Sequence, residues 1–431
     1  MAARSPPAAR RSNNPLGLTR RHASSVSAGV PLFLRGLAPR AELDKGAGLL
    51  YDLDNQLPRW RNWQTRMVEG HVGYKNVRVG SSPTLGTSPF MNRVRIVLDT
   101  LGGDNPPEEL IQGALAAAAA LGVEVVLAGE RRLIEREIRG HYLPLSIIDA
   151  PEVVTMEDSP AEAVRRKRNS SLVQGILAVK EGRAEAFVSP GNTGAVMAAS
   201  LLQLRRIPGI ERPGIAVSVP TIRAANFLLI DSGANVDCSP HNLKQFAIMG
   251  RIYMQEILGV PQPRIGLLNI GVEQGKGNAL VRKAFGLLTE VEGFVGNVES
   301  NRLLQGEVDV VVCDGFSGNI LLKGVEGSAS AVIGLLKRSI HESLRAKLGA
   351  LLLAPQFHQL KEKLDASYHG GAPLLGLKSV VIIAHGHSDA LAIKNAIKVA
   401  HRAVQNRLPQ KIEQGITRFN GTPLFQPRAK P

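Results

Sequence analysis

Six glycine-rich stretches hold the residues able to do chemistry. They are Leu101-Gly102-Gly103-Asp104-Asn105, Ser189-Pro190-Gly191-Asn192-Thr193-Gly194-Ala195, Asp231-Ser232-Gly233-Ala234-Asn235, the run from Asn269 to Asn278, Asp314-Gly315-Phe316-Ser317-Gly318-Asn319 with Lys323 beyond it, and His385-Gly386-His387-Ser388-Asp389. Singly, each is a turn former. Together they repeat one chemistry. Glycine lets a backbone approach closely and leaves N–H groups for an anion. Asn192, Asn235 and Asn319 supply neutral donors suited to an oxyanion, and Lys276 and Lys323 the compensating positive charge. The pattern describes a site for phosphate beside a polarised carbonyl. The expected binding residues are Gly102, Gly103, Asp104, Gly191, Thr193, Gly194, Asn269, Gly271, Glu273, Gly277, Asn278 and Gly318, and one of His385 and His387 is either a substrate contact or a structural hydrogen-bonding group, His385 being the candidate general acid.

Other chemistries are less well served. Gly275-Lys276 is not followed by Ser or Thr, so the ATP-loop pattern is absent, and no GxGxxG follows the first strand-like run. Cys313 closes an apolar run and reads as packing; Cys238 lies in a loop without an evident paired base. No His/Asp/Glu cluster has metal-ligand spacing, so neither a metal nor a cofactor is expected.

The elements that must position these stretches alternate from Arg93 onward. Strand-forming runs are read at Arg93–Asp99, Val123–Ala128, Leu145–Asp149, Ala186–Ser189, Ile215–Val219, Asn226–Asp231, Arg264–Asn269, Val308–Cys313 and Ser379–Ala384. Helical patterns lie between them, with a break near Asn169 where Ser170 can cap a new start. Near-continuous apolar strands alternating with helices imply an α/β fold with a mostly parallel, doubly wound sheet. In such sheets ligands bind at the carboxyl ends of strands, where the six stretches fall. Residues 327–377 read as a strand-free helical excursion, and 408–431 as a C-terminal tail.

Composition sets the outer bounds. The 431 residues are 44% hydrophobic, enough for a large core, and only 4% aromatic, which argues against a stacking platform for single-stranded nucleic acid. Two cysteines build no disulfide framework, and the body reads as a reduced, cytosolic protein. No uninterrupted apolar run approaches the ~20 residues of a membrane span. The net charge of +15 is uneven: residues 1–90 hold 13 Lys/Arg against 5 Asp/Glu. That leader has transit-peptide or nucleic-acid-arm composition, but the favoured reading is a disordered or spurious extension.

The stretches GGDNPP, SPGNTGA, DSGAN, LLNIGVEQGKGN, DGFSGNILLK and AHGHSDA resemble, in order, the motif set of the phosphate acyltransferases of bacterial phospholipid synthesis, the PlsX family. The resemblance runs from about Met91 to about Arg407, the expected catalytic domain being 91–407. Leu101, Pro190 and His387 depart from the family pattern, which usually has Met, Ala and often Ser there. The resemblance implies a fold like isocitrate and isopropylmalate dehydrogenases, and a homodimer. It implies acyl transfer from acyl-[acyl carrier protein] to inorganic phosphate, the acyl phosphate passing to a membrane glycerol-3-phosphate acyltransferase. A phosphotransacetylase-like enzyme using acyl-coenzyme A and a non-catalytic membrane scaffold are the rival readings. No nucleic-acid partner is implied.

Two further features fit that implied activity. The run Arg165-Arg166-Lys167-Arg168 offers a cationic surface to an acidic carrier protein, or is a solvated helix end. Ile340, Leu344, Leu348 and Leu352 are spaced by four and lead into Leu351, Leu353 and Ala354, with basic flanks. They read as a dimer or core contact, or as an apolar tip, Leu351 to Leu353, resting on an anionic membrane. The second reading makes the protein cytoplasmic and peripherally membrane-associated. For the leader, the expectation is that translation starts at Met91; mass spectrometry of native protein that recovers peptides from residues 1–90 would refute it.

Overall fold

The strands form where short, β-branched apolar runs recur, and the helices where Ala- and Leu-rich segments follow a polar cap. The structure is a computed structural model, and it describes residues 93–105, 107–223, 225–364 and 370–421. The leader therefore lies outside the described residues, as do residues 422–431.

In chain order the elements are β1 (Arg95–Asp99), α1 (Pro107–Leu121), β2 (Glu124–Gly129), α2 (Arg131–Glu137), β3 (Leu145–Asp149), α3 (Pro160–Arg166), α4 (Ser171–Lys180), β4 (Ala186–Ser189), α5 (Thr193–Gln203), β5 (Gly214–Pro220), β6 (Asn226–Ile230) and α6 (Pro240–Glu256). They continue as β7 (Ile265–Asn269), α7 (Ala279–Leu288), β8 (Phe294–Glu299), α8 (Ser300–Leu303), β9 (Val310–Val312), α9 (Gly315–His341), α10 (Leu344–Leu352), α11 (Ala354–Leu364), β10 (Ala372–Leu375), β11 (Val380–Ile383), α12 (Ala390–Gln405) and α13 (Leu408–Gly421). Ser170 caps α4 by accepting the Val173 N–H, so the expected break is a true helix start.

All eleven strands form one sheet in the order β3-β2-β1-β4-β11-β10-β5-β6-β9-β7-β8. The strands β3, β2, β1, β4 and β11 are mutually parallel. Next, β10 is antiparallel to both β11 and β5, and β5 is antiparallel to β6. The strands β6, β9, β7 and β8 are again mutually parallel. The sheet is thus two parallel halves of opposite direction. Carboxyl ends of the first half lie on one edge, and those of the second half on the other. The expected single gathering of six loops at one edge is corrected by this reversal.

Helices cover both faces, as parallel strands require. Ile111, Phe246, Leu267, Ile393 and Ile397 belong to one large core; Val97, Ile176, Phe187 and Val196 to the core on the opposite face of the first half. A smaller core around Phe227, Leu229 and Val311 has Leu321 and Leu322 of α9 against it.

Three boundaries differ from expectation. The excursion begins at Gly315, not 327, because Gly315 and Gly318 open α9 rather than forming a loop. It is not strand-free, since β10 lies within it. Residues 408–421 are a helix whose Leu408, Ile412 and Ile416 are buried, with Lys411 paired to Glu256, so this segment is core and not tail. The leucine series is also divided: Ile340 ends α9, and Ser343 caps α10 by accepting the Ala346 N–H.

Candidate active site

Each half of the sheet builds one loop cluster around a buried carboxylate. In the first half it is Asp99, 1% exposed at the end of β1. Its Oδ1 accepts the N–H groups of Leu101 (3.2 Å) and Gly102 (3.1 Å) and the Ser171 hydroxyl (2.5 Å), and its Oδ2 accepts the Ser189 hydroxyl (2.8 Å). Ser189 Oγ in turn accepts the Gly191 N–H at 3.0 Å. Burial raises the Asp99 pKa, against the opposing pull of the Ser171 and Ser189 hydrogen bonds. A side chain at Gly102 would stand 2.8 Å from the Gly191 nitrogen, so only glycine lets the two loops touch.

The loop after β11 closes the same cluster. Gly386 O accepts the Asp104 N–H at 2.8 Å, Ser388 O accepts from Asn105 Nδ2 at 2.9 Å, and His387 Nδ1 lies 2.8 Å from Asp104 Oδ2. Gly103 has φ of +88° and sits against Gly386 O. His385 is exposed. This cluster therefore unites Gly102, Gly103, Asp104, Gly191, Asn192, Thr193, Gly194 and His385.

Asn192 is committed to structure. Its Oδ1 caps α5 through the Ala195 N–H, and its Nδ2 donates to the carbonyls of Thr155, Met156 and Asp158. Both amide hydrogens face protein carbonyls, which removes it as the expected oxyanion donor. Lys167 is likewise committed, donating to Asp158 (2.5 Å) and Val153 O (2.8 Å). That bond, with the Thr155 N–H, holds the Asp158 carboxyl below its usual range. Arg166 pairs with Glu162, while Arg165 and Arg168 are exposed and carry no ion pair among the described residues.

In the second half the buried carboxylate is Asp231, following β6. Oδ1 accepts the N–H groups of Ile215 (3.0 Å), Gly233 (3.1 Å) and Ala234 (2.9 Å); Oδ2 accepts the Asn235 N–H (2.7 Å) and Nδ2 (2.8 Å). Burial again raises the pKa. The Asn235 amide is shared between Asp231 and Pro213 O and is buried, so it too is structural rather than a free donor. Gly318 packs on the Asp231 carbonyl and the Cys313 sulfur, bringing α9 onto this loop. Asn319 is exposed on the adjacent face, 3.8 Å from where a side chain at Gly233 would begin.

Asn269 folds the neighbouring loop by accepting the Ile270 N–H and donating to Lys276 O, with Gly277 at φ +91° against its amide. Asn278 caps α7. Lys276 and Glu273 pair at 2.9 Å over Gly271, and Lys323 pairs with Glu326 at 2.8 Å; Lys276, Glu273 and Lys323 are exposed and Glu326 is half-buried. Both lysines therefore lie with the second cluster, across the sheet from the Gly191–Gly194 amides they were expected to assist. Burial lifts the Cys238 thiol to about 12 and raises the Cys313 thiol well above its ordinary value, so neither is a ready nucleophile. The residues sequence reasoning passed over are Asp99 and Ser171, and Ser189, though inside a chosen stretch, was given no role. The signal was an acid closing an otherwise apolar strand.

Sequence comparison agrees with this architecture. Residues 94–411 match the family model described as fatty acid synthesis protein. The phosphate acyltransferase of Halothermothrix orenii is 47% identical over 332 residues, covering 75% of this chain and 99% of the relative. That of Oceanobacillus iheyensis is 48% identical over 313 residues, covering 72% and 94%. A phosphotransacetylase from Streptococcus pyogenes superposes with a TM-score of 0.50 at 17% identity, over 73% of this chain and 94% of that one, which is a likeness of fold.

Replacing Asp99 tests the organising role of the buried carboxylates. Asp99→Ala leaves two hydroxyls and two N–H groups without an acceptor, and should cost about 3 kcal/mol or more in unfolding free energy. Urea melts of Asp99→Ala within about 0.5 kcal/mol of the parent would overturn that role. With the fold, the six motifs and these relatives in agreement, the chain belongs to the fatty acid synthesis protein family and, within it, to the phosphate acyltransferases.

Proposed function

We propose that this acyltransferase moves a fatty acyl group from acyl-[acyl carrier protein] to inorganic phosphate, releasing acyl phosphate for phospholipid synthesis. The observation that carries the reading is the 47% identity over 99% of a phosphate acyltransferase. The site chemistry supports it. Helix geometry leaves the first N–H groups of α5, at Thr193 and Gly194, without intrahelical acceptors, and Asn192 holds that turn in place. Phosphate bound there, beside His385, is already a nucleophile and needs capture, orientation and desolvation.

The oxyanion donor of this reading is Asn319, whose amide is exposed while those of Asn192 and Asn235 are committed. Asn319 and the two lysines lie at the opposite sheet edge from the phosphate loops. A homodimer resolves the separation by bringing the second cluster of one copy to the first cluster of the other. Exposed Val236, Ile270, Val272, Phe316 and Ile320 rim the second cluster and offer that copy an apolar seat.

The carrier protein docks at Arg165 and Arg168 in this reading. Lys167 links that segment to Asp158, whose carbonyl Asn192 holds, so the cationic surface borders the phosphate loops. The helical excursion meets the membrane. Leu351, Leu352 and Leu353 are exposed at the end of α10, and α10 buries no residue among those described. The helix α9 has the length and mean hydropathy of a membrane span. Its opening turns, however, pack on Asp231 and the small core, and Lys323, Glu326, Lys337 and Arg338 punctuate it, so the proposal is a peripheral contact from the cytoplasmic side. There the product reaches a membrane glycerol-3-phosphate acyltransferase.

One assay tests the reaction. Purified protein with acyl-carrier protein, phosphate and hydroxylamine should yield hydroxamate. Asn319→Ala should lower kcat about 100-fold, and charge reversal at Arg165 and Arg168 should raise KM for the carrier. Mixing Asn319→Ala with a chain disabled at His385 should restore part of the activity if the site spans two copies. Hydroxamate from acyl-coenzyme A alone would move the donor to the rival reading, and none from either donor would favour the scaffold.

A liposome pull-down tests the tip. Leu351→Glu/Leu352→Glu should lose binding to anionic vesicles while keeping soluble activity. An active double variant that still binds would dismiss the tip as the anchor.

A further inference from the structure

The transfer proposed above moves one proton, and this inference rests on that reading. Attack of HPO4²⁻ on the acyl thioester forms a C–O bond and breaks the C–S bond. An acyl phosphate is a stronger acid than phosphate, and a thiolate is a stronger base than either. The products are therefore the acyl phosphate dianion and a free thiol, and the remaining P–OH proton must end on sulfur.

The titratable side chains at the mouth of the first cluster are Asp104, after β1, and His385, His387 and Asp389, after β11. Asp99 lies buried beneath them, spent on Ser171 and Ser189. Asp389 is engaged as the cap of α12, accepting the Ala392 N–H at 2.8 Å. The two histidines differ in what they present. His385 Nδ1 accepts the His387 backbone N–H at 3.3 Å, so the neutral ring carries its proton on Nε2 and acts as a donor. His387 Nδ1 stands 2.8 Å from Asp104 Oδ2, so that nitrogen carries the proton and Nε2 presents a lone pair. The rings lie 5.6 Å apart. Their loops are joined by the bonds from Asp104 N to Gly386 O and from Asn105 to Ser388 O, so the Asp–His pair is held by these loop bonds as well as by its own 2.8 Å contact. The His387 side chain is otherwise exposed.

We infer that His387, oriented by Asp104, is the proton relay of the acyl transfer. Its Nε2 accepts the P–OH proton as the new C–O bond forms, and the resulting imidazolium, stabilised by the Asp104 carboxylate, protonates the departing sulfur. The ring ends the cycle neutral and no further reactant is consumed. Asp104 is a positioning residue, because it acts through the ring it orients.

The test follows thiol release and acyl phosphate formation by the full chain with acyl-carrier protein and phosphate. His387→Gln should lower kcat about 100-fold, leave KM for the carrier unchanged, and recover activity in proportion to added imidazole base. Asp104→Asn should lower kcat by a smaller factor and gain nothing from imidazole, since its own ring still fills the position. Thermal melts of both variants serve as the folding control. A His387→Gln enzyme with parental kcat, or one whose loss imidazole does not repair, overturns the relay while the parent's turnover leaves the reaction standing. A parent that forms no acyl phosphate from either donor overturns the reaction and the relay together.

Discussion

A carboxylate buried at the end of an apolar strand is the constraint on which both loop clusters depend. Asp99 and Asp231 are each almost wholly removed from water, which alone would be costly. Each is retained because its oxygens gather several donors from the loop that follows, and so dictate that loop's path. Burial still outweighs those donors, and both groups hold a proton more tightly than in the unfolded chain. The sign follows: the stability linked to these groups is full below the ordinary carboxylate range and declines as pH rises through the raised values. The fold carries that cost to fix the loops.

The second constraint is directional. Because β10 and β5 each run against both neighbours, the two halves present their carboxyl edges oppositely. One half collects the N-terminus of α5, an Asp–His pair and a cationic border; the other collects the N-termini of α7 and α9, an exposed amide, two paired lysines and an apolar rim. Those inventories are complementary rather than duplicate. In the proposed reaction, acid–base chemistry and anion capture are assigned to one side, carbonyl polarisation and apolar contact to the other.

What could be read from sequence follows the same physics. Strands buried on both faces were legible because their apolar runs are nearly continuous, as in Ile96-Val97-Leu98 and Val310-Val311-Val312. The strand β8 was not, since it lies at the sheet edge, is only partly buried, and contains Gly296 and Asn297. The start of α9 was hidden because glycines that resemble a loop are there to let a helix touch Asp231 and Asn235. Residue type located Asn192 and Asn235 in the clusters but not their use. Whether an amide faces substrate or a neighbouring carbonyl depends on the loop packed against it, here residues 155–158 and Pro213.

The helix α9 joins the chemical and the lipid-facing parts of this reading. Its first turns rest on the Asp231 carbonyl and carry Asn319, and its 27 residues span about 40 Å at the usual helical rise. Its far end opens into α10 and the exposed leucines. A helix of that length, tied to the buried core at only one end, is an extended arm with its anchor beside Asn319. The leucine tip itself lies on α10, joined to α9 through Glu342 and Ser343, so α9 carries Asn319 near one end and that joint at the other. That places the residue proposed to polarise the carbonyl one helix joint away from the surface proposed to receive the lipophilic product.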